Sequence, residues 1–414
     1  MSDRLSHTVV MATTSYPRFS GDGVGSFIEP IAHGIAARGH DVHIVAPWHP
    51  LIRRPDHEGR VRFHFFRYAP LKRLSLFGYA ASLKADVTLR PTTYLVTPFA
   101  LVAWWRCLRH VVRRYRPSII HAHWVVPGGF LAAASRTNLP IVISLHGSDV
   151  FVAEANPAAR QAARYAFRRA SWVTACSDDL RRRAVTIGAI PDRTEVVPYG
   201  VDTDRFKPDL AVRARVRQAQ GITDAIPVVV AAGRLVRKKG FEYLIDAIAQ
   251  LKPRWPTLTV WLAGSGDLEP ELRQRVISRD VADRVTFLGA VTQDEIGSLL
   301  AAADIVIVPS VHDDAGNVDG LPNILLEALA SGTPVVATPA GGITTVARND
   351  QTARIVPERD PDSIAIAIEE FLNNPRLRAQ LGTAARTQMC STHTWAQTAK
   401  RFEETYTHAT EIKR

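Results

Sequence analysis

Two carboxylates, Asp319 and Glu327, stand eight residues apart in the segment Val318-Asp319-Gly320-Leu321-Pro322-Asn323-Ile324-Leu325-Leu326-Glu327. Each offers two acceptor oxygens and can grip a vicinal diol. Gly320 and Pro322 mark a helix start, because a proline in the first turn gives up an N–H that has no intrahelical partner. Ile324, Leu325, Leu326, Ala328 and Leu329 make that helix apolar on most sides, so it should be buried. Gly332 and Pro334 stop it, and Val335-Val336-Ala337 reads as a short buried strand. Asp319 then falls just before the helix N-terminus and Glu327 about two turns inside. Free N–H groups and a partial positive charge at such a terminus suit a diphosphate or a sugar hydroxyl.

A second group is cationic. Gly233-Arg234-Leu235-Val236-Arg237-Lys238-Lys239-Gly240 follows a strand and precedes a helix. Arg234 and Lys239 can neutralise the two charges of a diphosphate leaving group. Arg237 and Lys238 are read as solvated, without a role. His146, at the end of Ile141-Val142-Ile143-Ser144-Leu145 and followed by Gly147-Ser148-Asp149, can donate a hydrogen bond to a sugar hydroxyl. His121 and His123 are expected to point oppositely along a strand, so they should not share a metal. They are assigned to packing and loop placement. Gly21-Asp22-Gly23-Val24-Gly25 and Ala263-Gly264-Ser265-Gly266 are turns in which the backbone can approach a ligand closely.

Strand and helix signals alternate throughout and position these groups, the pattern of α/β domains with parallel sheets. Strands are predicted near 8–13, 41–46, 62–67, 118–122, 140–145, 172–175, 194–197, 227–231, 258–263, 284–288, 304–308, 333–337 and 353–356. Helices are predicted near 25–38, 94–115, 127–137, 157–169, 177–187, 240–251, 268–277, 292–302, 321–331, 342–347, 360–372, 375–389 and 393–410. Two successive α/β sets in 414 residues imply two facing doubly wound, Rossmann-like domains, with ligands at the carboxyl ends of the strands. Pro198, Gly200 and Pro208 mark the boundary, which divides the chain into 1–200, 201–390 and a terminal helix in 391–414.

Composition narrows the function. No apolar run reaches the ~18 residues of a membrane span, and no signal peptide is read at the N-terminus. Three scattered cysteines, Cys107, Cys176 and Cys390, suggest neither a disulfide framework nor a zinc site and fit a reducing cytoplasm. Residues 1–200 hold 26 Lys+Arg against 13 Asp+Glu, a net of +13. The remainder holds 25 against 27, a net of −2. Without a helix-turn-helix, zinc-finger or aromatic RNA-binding signature, nucleic acid is not the expected partner of the basic half. An anionic membrane surface or a phosphorylated acceptor is. The stretch with Phe99, Trp104 and Trp105 followed by Arg106, Arg109, Arg113, Arg114 and Arg116 could rest on a bilayer or form a core-facing helix.

The paired acids with the following Gly332-Thr333-Pro334-Val335-Val336 resemble the signature of retaining GT-B glycosyltransferases of family four, the glycosyl transferases group 1. So do Gly233-Arg234-Leu235 with Lys239-Gly240, His146-Gly147 with Asp149, and the linker Pro198 to Pro208. The resemblance covers nearly the whole chain. It implies the GT-B fold, with a C-terminal helix containing Trp395 that returns to the first domain. It implies transfer of a sugar, with retention, from a uridine- or guanosine-type nucleoside-diphosphate sugar to a glycan or lipid-linked acceptor in polysaccharide or glycolipid synthesis. His146, Arg234, Lys239 and Asp319 would be catalytic. Gly23, Gly25, Gly233, Gly266, Gly320, Leu321, Pro322, Asn323 and Glu327 would bind the donor, Asp319 through the sugar hydroxyls and Glu327 through the ribose diol. The leaving phosphate would take the acceptor proton, and closure of the domains would exclude water. No cofactor or metal is expected, although Asp202-Thr203-Asp204 spells the metal motif of a different glycosyltransferase fold. The family's first acid is usually Glu, and Asp319 is one methylene shorter. The alternative enzyme is a GT-B sugar epimerase, which uses the same donor but needs internal proton-transfer acids, and the departure at Asp319 admits a catalytically weak subunit that binds sugar nucleotides.

Overall fold

The computed structural model describes residues 6–79 and 91–412; residues 1–5, where a signal peptide was considered, lie outside them. The chain divides into two compact units, residues 1–199 with 395–414 and residues 200–394. The return to the first unit therefore begins at Trp395, four residues later than the boundary read from the sequence.

The first unit is built on an eight-stranded sheet. In chain order its strands are β1 (Thr8–Ala12), β2 (Asp41–Pro47), β3 (His57–Glu58), β4 (Val61–Phe66), β5 (Ile119–His123), β6 (Ile141–Leu145), β7 (Trp172–Ala175) and β8 (Thr194–Val196). They lie side by side as β3-β4-β2-β1-β5-β6-β7-β8, and only the β3–β4 pair is antiparallel. Parallel neighbours need crossovers, and helices covering both faces explain why β1, β2 and β6 are buried almost end to end. The helices are α1 (Ile28–Ala37), α2 (Pro91–Tyr115), α3 (Phe130–Ala134), α4 (Ser148–Ala155), α5 (Pro157–Arg169), α6 (Asp178–Ile187) and, from the chain end, α15 (Trp395–Glu411). The last buries Ala399, Phe402, Tyr406 and Ala409 in the core formed by β1, β2 and α1. Its Glu403 pairs with Arg38 and His40. On α2, Ala100, Trp104, Leu108 and Val111 are fully buried, whereas Leu95, Phe99 and Val102 face solvent. Trp104 thus belongs to the core, stacked on Phe66, and the exposed apolar surface lies elsewhere on the helix.

The second unit carries β9 (Val228–Ala232), β10 (Thr259–Ala263), β11 (Val285–Gly289), β12 (Ile305–Val308), β13 (Val335–Ala337) and β14 (Arg354–Ile355). They form an all-parallel sheet in the order β11-β10-β9-β12-β13-β14. Helices α7 (Leu210–Ala219), α8 (Phe241–Leu251), α9 (Glu269–Ser278), α10 (Gln293–Ala302), α11 (Asn323–Ala330), α12 (Ile343–Val346), α13 (Pro361–Asn373) and α14 (Pro375–Thr392) cover it. Strand order reverses at β1/β5 in the first unit and at β9/β12 in the second. In open parallel sheets, ligands bind beyond the carboxyl ends at such a reversal.

Candidate functional site

In the second unit, the loops leaving β9, β10 and β12 meet at the reversal. Gly233 follows β9, and its N–H donates to the Ala263 carbonyl, 2.9 Å. A Cβ at Gly233 would lie 3.3 Å from Cε of Lys239, so the missing side chain leaves the lane along which the lysine stem runs. Gly240 has φ +64°, and a Cβ there would sit 2.0 Å from the Pro309 carbonyl oxygen. Glycine thereby lets Lys238 and Lys239 dock on the end of β12, where the Lys238 carbonyl accepts from Val311 N–H, 2.9 Å. Gly266 lies in the turn after β10, which is laced to the Arg234 loop by Leu235 N–H to Ser265 O and Leu268 N–H to Leu235 O, both 3.0 Å.

Asp319 is buried and held on both oxygens. Oδ2 accepts from Lys239 Nζ at 2.7 Å and from Ser310 Oγ at 3.0 Å. Oδ1 faces Lys238 Nζ at 3.9 Å. The Ser310 carbonyl in turn accepts from Thr338 Oγ1. Burial alone would raise the Asp319 pKa, but Lys239, Lys238 and the two hydrogen bonds outweigh it and hold the carboxylate below its ordinary range. Lys238 is not solvated, contrary to the sequence reading: only 13% of its side chain is exposed. Burial lowers its pKa, and Asp319 offsets part of that shift. Arg237 is half-exposed and engages Glu271 at 2.8 and 2.6 Å.

Gly320, Leu321 and Pro322 form the approach to α11, which begins at Asn323. Pro322 therefore precedes the helix rather than occupying its first turn, and its carbonyl accepts from Leu325 N–H, 3.1 Å. Glu327 lies about one turn into α11, not two, and is buried. Burial raises its pKa to about 7, partly opposed by Arg205 and Lys239. Such a carboxylate pays for desolvation with half its charge at neutral pH, and it would regain full charge beside hydroxyl donors. Asp202, from the D-x-D, caps its own turn: Oδ1 accepts from Asp204 N–H at 3.1 Å and Arg205 N–H at 3.0 Å.

In the first unit, Gly23 and Gly25 lie in the loop after β1. Asp22 ties this loop by accepting from Arg18 Nε, 2.6 Å, and from Val24 N–H, 3.3 Å. His146 follows β6, and both of its ring nitrogens are engaged. Nδ1 meets Tyr199 Oη at 2.7 Å, and Nε2 meets His123 Nδ1 at 3.0 Å. Phe27, Trp124 and Tyr199 surround the ring at centroid distances of 4.7, 5.0 and 5.8 Å. Asp149 accepts from the N–H groups of Val125 (2.8 Å), His146 (3.3 Å) and Gly147 (3.0 Å), which fixes the histidine's backbone. His121 and His123 share one face of β5, with ring centroids 4.3 Å apart, because residues two apart on a strand project to the same side. The opposite orientation expected from the sequence is thus corrected. His121 bonds Tyr406 Oη at 2.8 Å and Ser144 Oγ at 2.6 Å, while His123 Nε2 has no hydrogen-bond partner among the described residues. Burial pulls the His123 pKa to about 3 and those of His121 and His146 well below the ordinary value, so all three are neutral. Among the described residues, one group, Glu29, His33 and Glu58, brings metal-ligating atoms within 4.8 Å of one another. Arg54 already pairs with both carboxylates.

The sequence reading missed Lys238, Ser310, Tyr199 and the His123–His146 contact. A lysine beside Lys239 gave no signal of its own direction, and the tyrosine was read only as part of the linker.

Residues 21–205 match the family model described as Glycosyltransferase Family 4, and residues 212–388 match that for Glycosyl transferases group 1. A GDP-mannose-dependent alpha-(1-6)-phosphatidylinositol monomannoside mannosyltransferase of Mycolicibacterium smegmatis is 35% identical over 64% of this chain and 69% of its own. An uncharacterised glycosyltransferase of Methanocaldococcus jannaschii is 25% identical over 98% and 99% of the two chains. Sucrose-phosphate synthase of Thermosynechococcus elongatus shares the fold, with a TM-score of 0.79 over 97% of this chain and 98% of its own, at 20% identity. The HepE protein of Anabaena, solved with UDP-glucose, does so with a TM-score of 0.75 over 97% and 99%, also at 20% identity. With both units covered by family models and both folded as Rossmann-like sheets, the chain belongs to glycosyltransferase family four and has the GT-B fold.

Proposed function

We propose that this glycosyltransferase moves a sugar, with retention, from a nucleoside-diphosphate sugar to a hydroxyl of a glycan or lipid-linked acceptor, in cell-surface polysaccharide or glycolipid synthesis. The observation that carries the reading is the cluster of Lys238 and Lys239 around buried Asp319 at the β9/β12 reversal. There the Arg234 loop, Lys239, Asp319 and the start of α11 converge, with buried Glu327 behind them. In this reading Arg234 and Lys239 neutralise the departing diphosphate, which takes the acceptor proton itself. Glu327 accepts from the ribose diol and Asp319 from sugar hydroxyls. The turn of Gly320, Leu321, Pro322 and Asn323, with Gly233 and Gly266, lines the donor. His146, Gly23 and Gly25 belong to the acceptor side and the phosphate-facing loop of the first unit. His146 acts there as a neutral ring preset by Tyr199 and His123. The use of GDP-mannose by the mycobacterial relatives favours a guanosine-type donor.

No metal or other cofactor takes part in this reading, because the cationic side chains supply the positive charge that a metal would. An anionic membrane surface is proposed as a partner of the basic first unit, which would hold the enzyme at the inner face of the cell membrane. Phe99 and Val102 support this reading because they stand exposed near Arg106 and Arg67, with Leu95 also exposed on the same helix. Among the described residues no helix is long and apolar enough to cross a membrane.

The test is a thermal-shift screen of uridine and guanosine diphosphate sugars, followed by transfer assays in which the anomeric configuration of the product is read by NMR. Inversion, or no transfer from any such donor, would overturn the reading. In the same assays, Asp319→Glu should change the ranking of donor sugars more than the binding of free nucleoside diphosphate, because its oxygens would advance by about one bond.

A further inference from the structure

Lys239 has two calls on it. In the proposed reading it must bind the donor diphosphate, yet its Nζ is hydrogen-bonded to Asp319 at 2.7 Å. A buried carboxylate that loses its sole cation is left uncompensated, and breaking such a pair is strongly unfavourable. Lysine has three donors, but all of them radiate from one nitrogen, and a single positive charge cannot fully neutralise both a carboxylate and a diphosphate.

Lys238 removes the conflict. Its side chain is slightly more enclosed than that of Lys239, at 13% against 15% exposed. Its Nζ stands 3.9 Å from Oδ1, the oxygen that neither Lys239 nor Ser310 uses. Its backbone is clamped to the end of β12 through Val311, and Gly240, two residues on, is pressed against Pro309, so the ammonium is carried on a fixed turn. The two lysines thus divide the carboxylate, one per oxygen.

We infer that Lys238 is the standing counter-ion of Asp319, a positioning residue that lets Lys239 leave the carboxylate for the donor's diphosphate. This rests on the diphosphate reading of the pocket. In the ligand-free enzyme, two ammonium groups share one carboxylate. When the diphosphate arrives, Lys239 turns to it, and Asp319 stays ionised between Lys238 and Ser310. The sugar-facing acid therefore keeps its charge and place through the cycle.

Calorimetry with UDP and GDP, beside uridine and guanosine as phosphate-free controls, tests this. Lys238→Met should weaken the nucleoside diphosphate that binds by about 10- to 100-fold and leave the nucleoside unchanged. Lys238→Arg should stay within about threefold of wild type. Combining Lys238→Met with Asp319→Asn should restore binding to within about threefold of Asp319→Asn alone, since no carboxylate then competes for Lys239. An equal loss in both backgrounds would mean that Lys238 meets the phosphates directly, and no loss in either would mean that it does nothing here; each result overturns the inference. If Lys238→Met does not fold, rescue of folding by Asp319→Asn supports the counter-ion role, and failure in both backgrounds overturns it. Failure of the underlying reading looks different: neither UDP nor GDP binds wild type, or Lys239→Ala binds them normally.

Discussion

The two strand-order reversals hold buried polar groups of opposite kinds. At β1/β5 the first unit gathers His121, His123, His146, Tyr199 and Tyr406, all neutral, stacked and hydrogen-bonded to one another. At β9/β12 the second unit keeps formal charge: Asp319 between Lys238 and Lys239, with Glu327 close behind. Burial acts on both in the same way, by disfavouring ions. It wins in the first unit, where buried Asp149 faces the backbone N–H groups of Val125, His146 and Gly147 rather than the rings. It loses at Asp319, where two ammonium groups adjoin. Retained charge in a buried place signals a charged ligand, whereas a neutral network signals shape and orientation.

The most severe way to break this comparison is to remove the cations. Lys239→Ala and Arg234→Ala should each lower turnover about 30- to 1,000-fold, the loss of roughly 2–4 kcal/mol of transition-state stabilisation, with the fold retained. Near-normal rates in both would end the assignment of charge to a diphosphate.

The pH dependence sharpens the contrast next. Glu327 titrates near 7, and the ribose diol needs an acceptor-only carboxylate, so nucleotide affinity should be full above about pH 8. It should fall by up to about tenfold per unit below 7. Glu327→Gln should bind more weakly and lose that slope, and Glu327→Ala should lose about 1.5–3 kcal/mol. His121, His123 and His146, which burial keeps neutral, should add no limb where Glu327 titrates. A slope that survives Glu327→Gln but vanishes in His146→Phe would reverse the comparison.

Much of this arrangement was legible in the sequence, because period and punctuation are local. Thirteen strand positions were anticipated within a residue or two, and Gly233, Lys239 and Asp319 fell at strand or helix ends as their neighbours dictated. What escaped was held by contacts rather than pattern. Helix α7 has no apolar stripe to reveal it. It is anchored instead by buried Arg217, which reaches Asp304, the Ala302 carbonyl and the Ile226 carbonyl. Lys238 was read with Arg237 as a solvated cation, whereas the turn pressed on Pro309 at Gly240 packs its side chain beside Asp319. The pairing of Tyr199 with His146 spans 53 residues, which no local spacing can encode.

Two smaller effects complete the series. Exhaustive chelation with EDTA should leave turnover unchanged, and loss restored by magnesium or manganese would show that the cationic cluster is not sufficient. Binding to vesicles should rise with anionic lipid and fall with salt, through the first unit's basic surface. Equal, salt-insensitive partitioning between neutral and anionic vesicles would confine that charge to a soluble acceptor.

Helix α15 makes the second unit an insertion in the first. Residues 200–394 are one continuous stretch, so they can in principle be expressed alone. The first unit has no such freedom. Its core lacks Phe402 and Tyr406, and His121 lacks one of its two hydrogen-bond partners, until the codons of α15 have been read. During synthesis the sheet of the first unit must therefore wait, with one face only partly covered, while the second unit emerges and folds. A stop codon shortly before Trp395 would leave the residues of the proposed donor site intact and still deprive the other half of the enzyme of its closing helix.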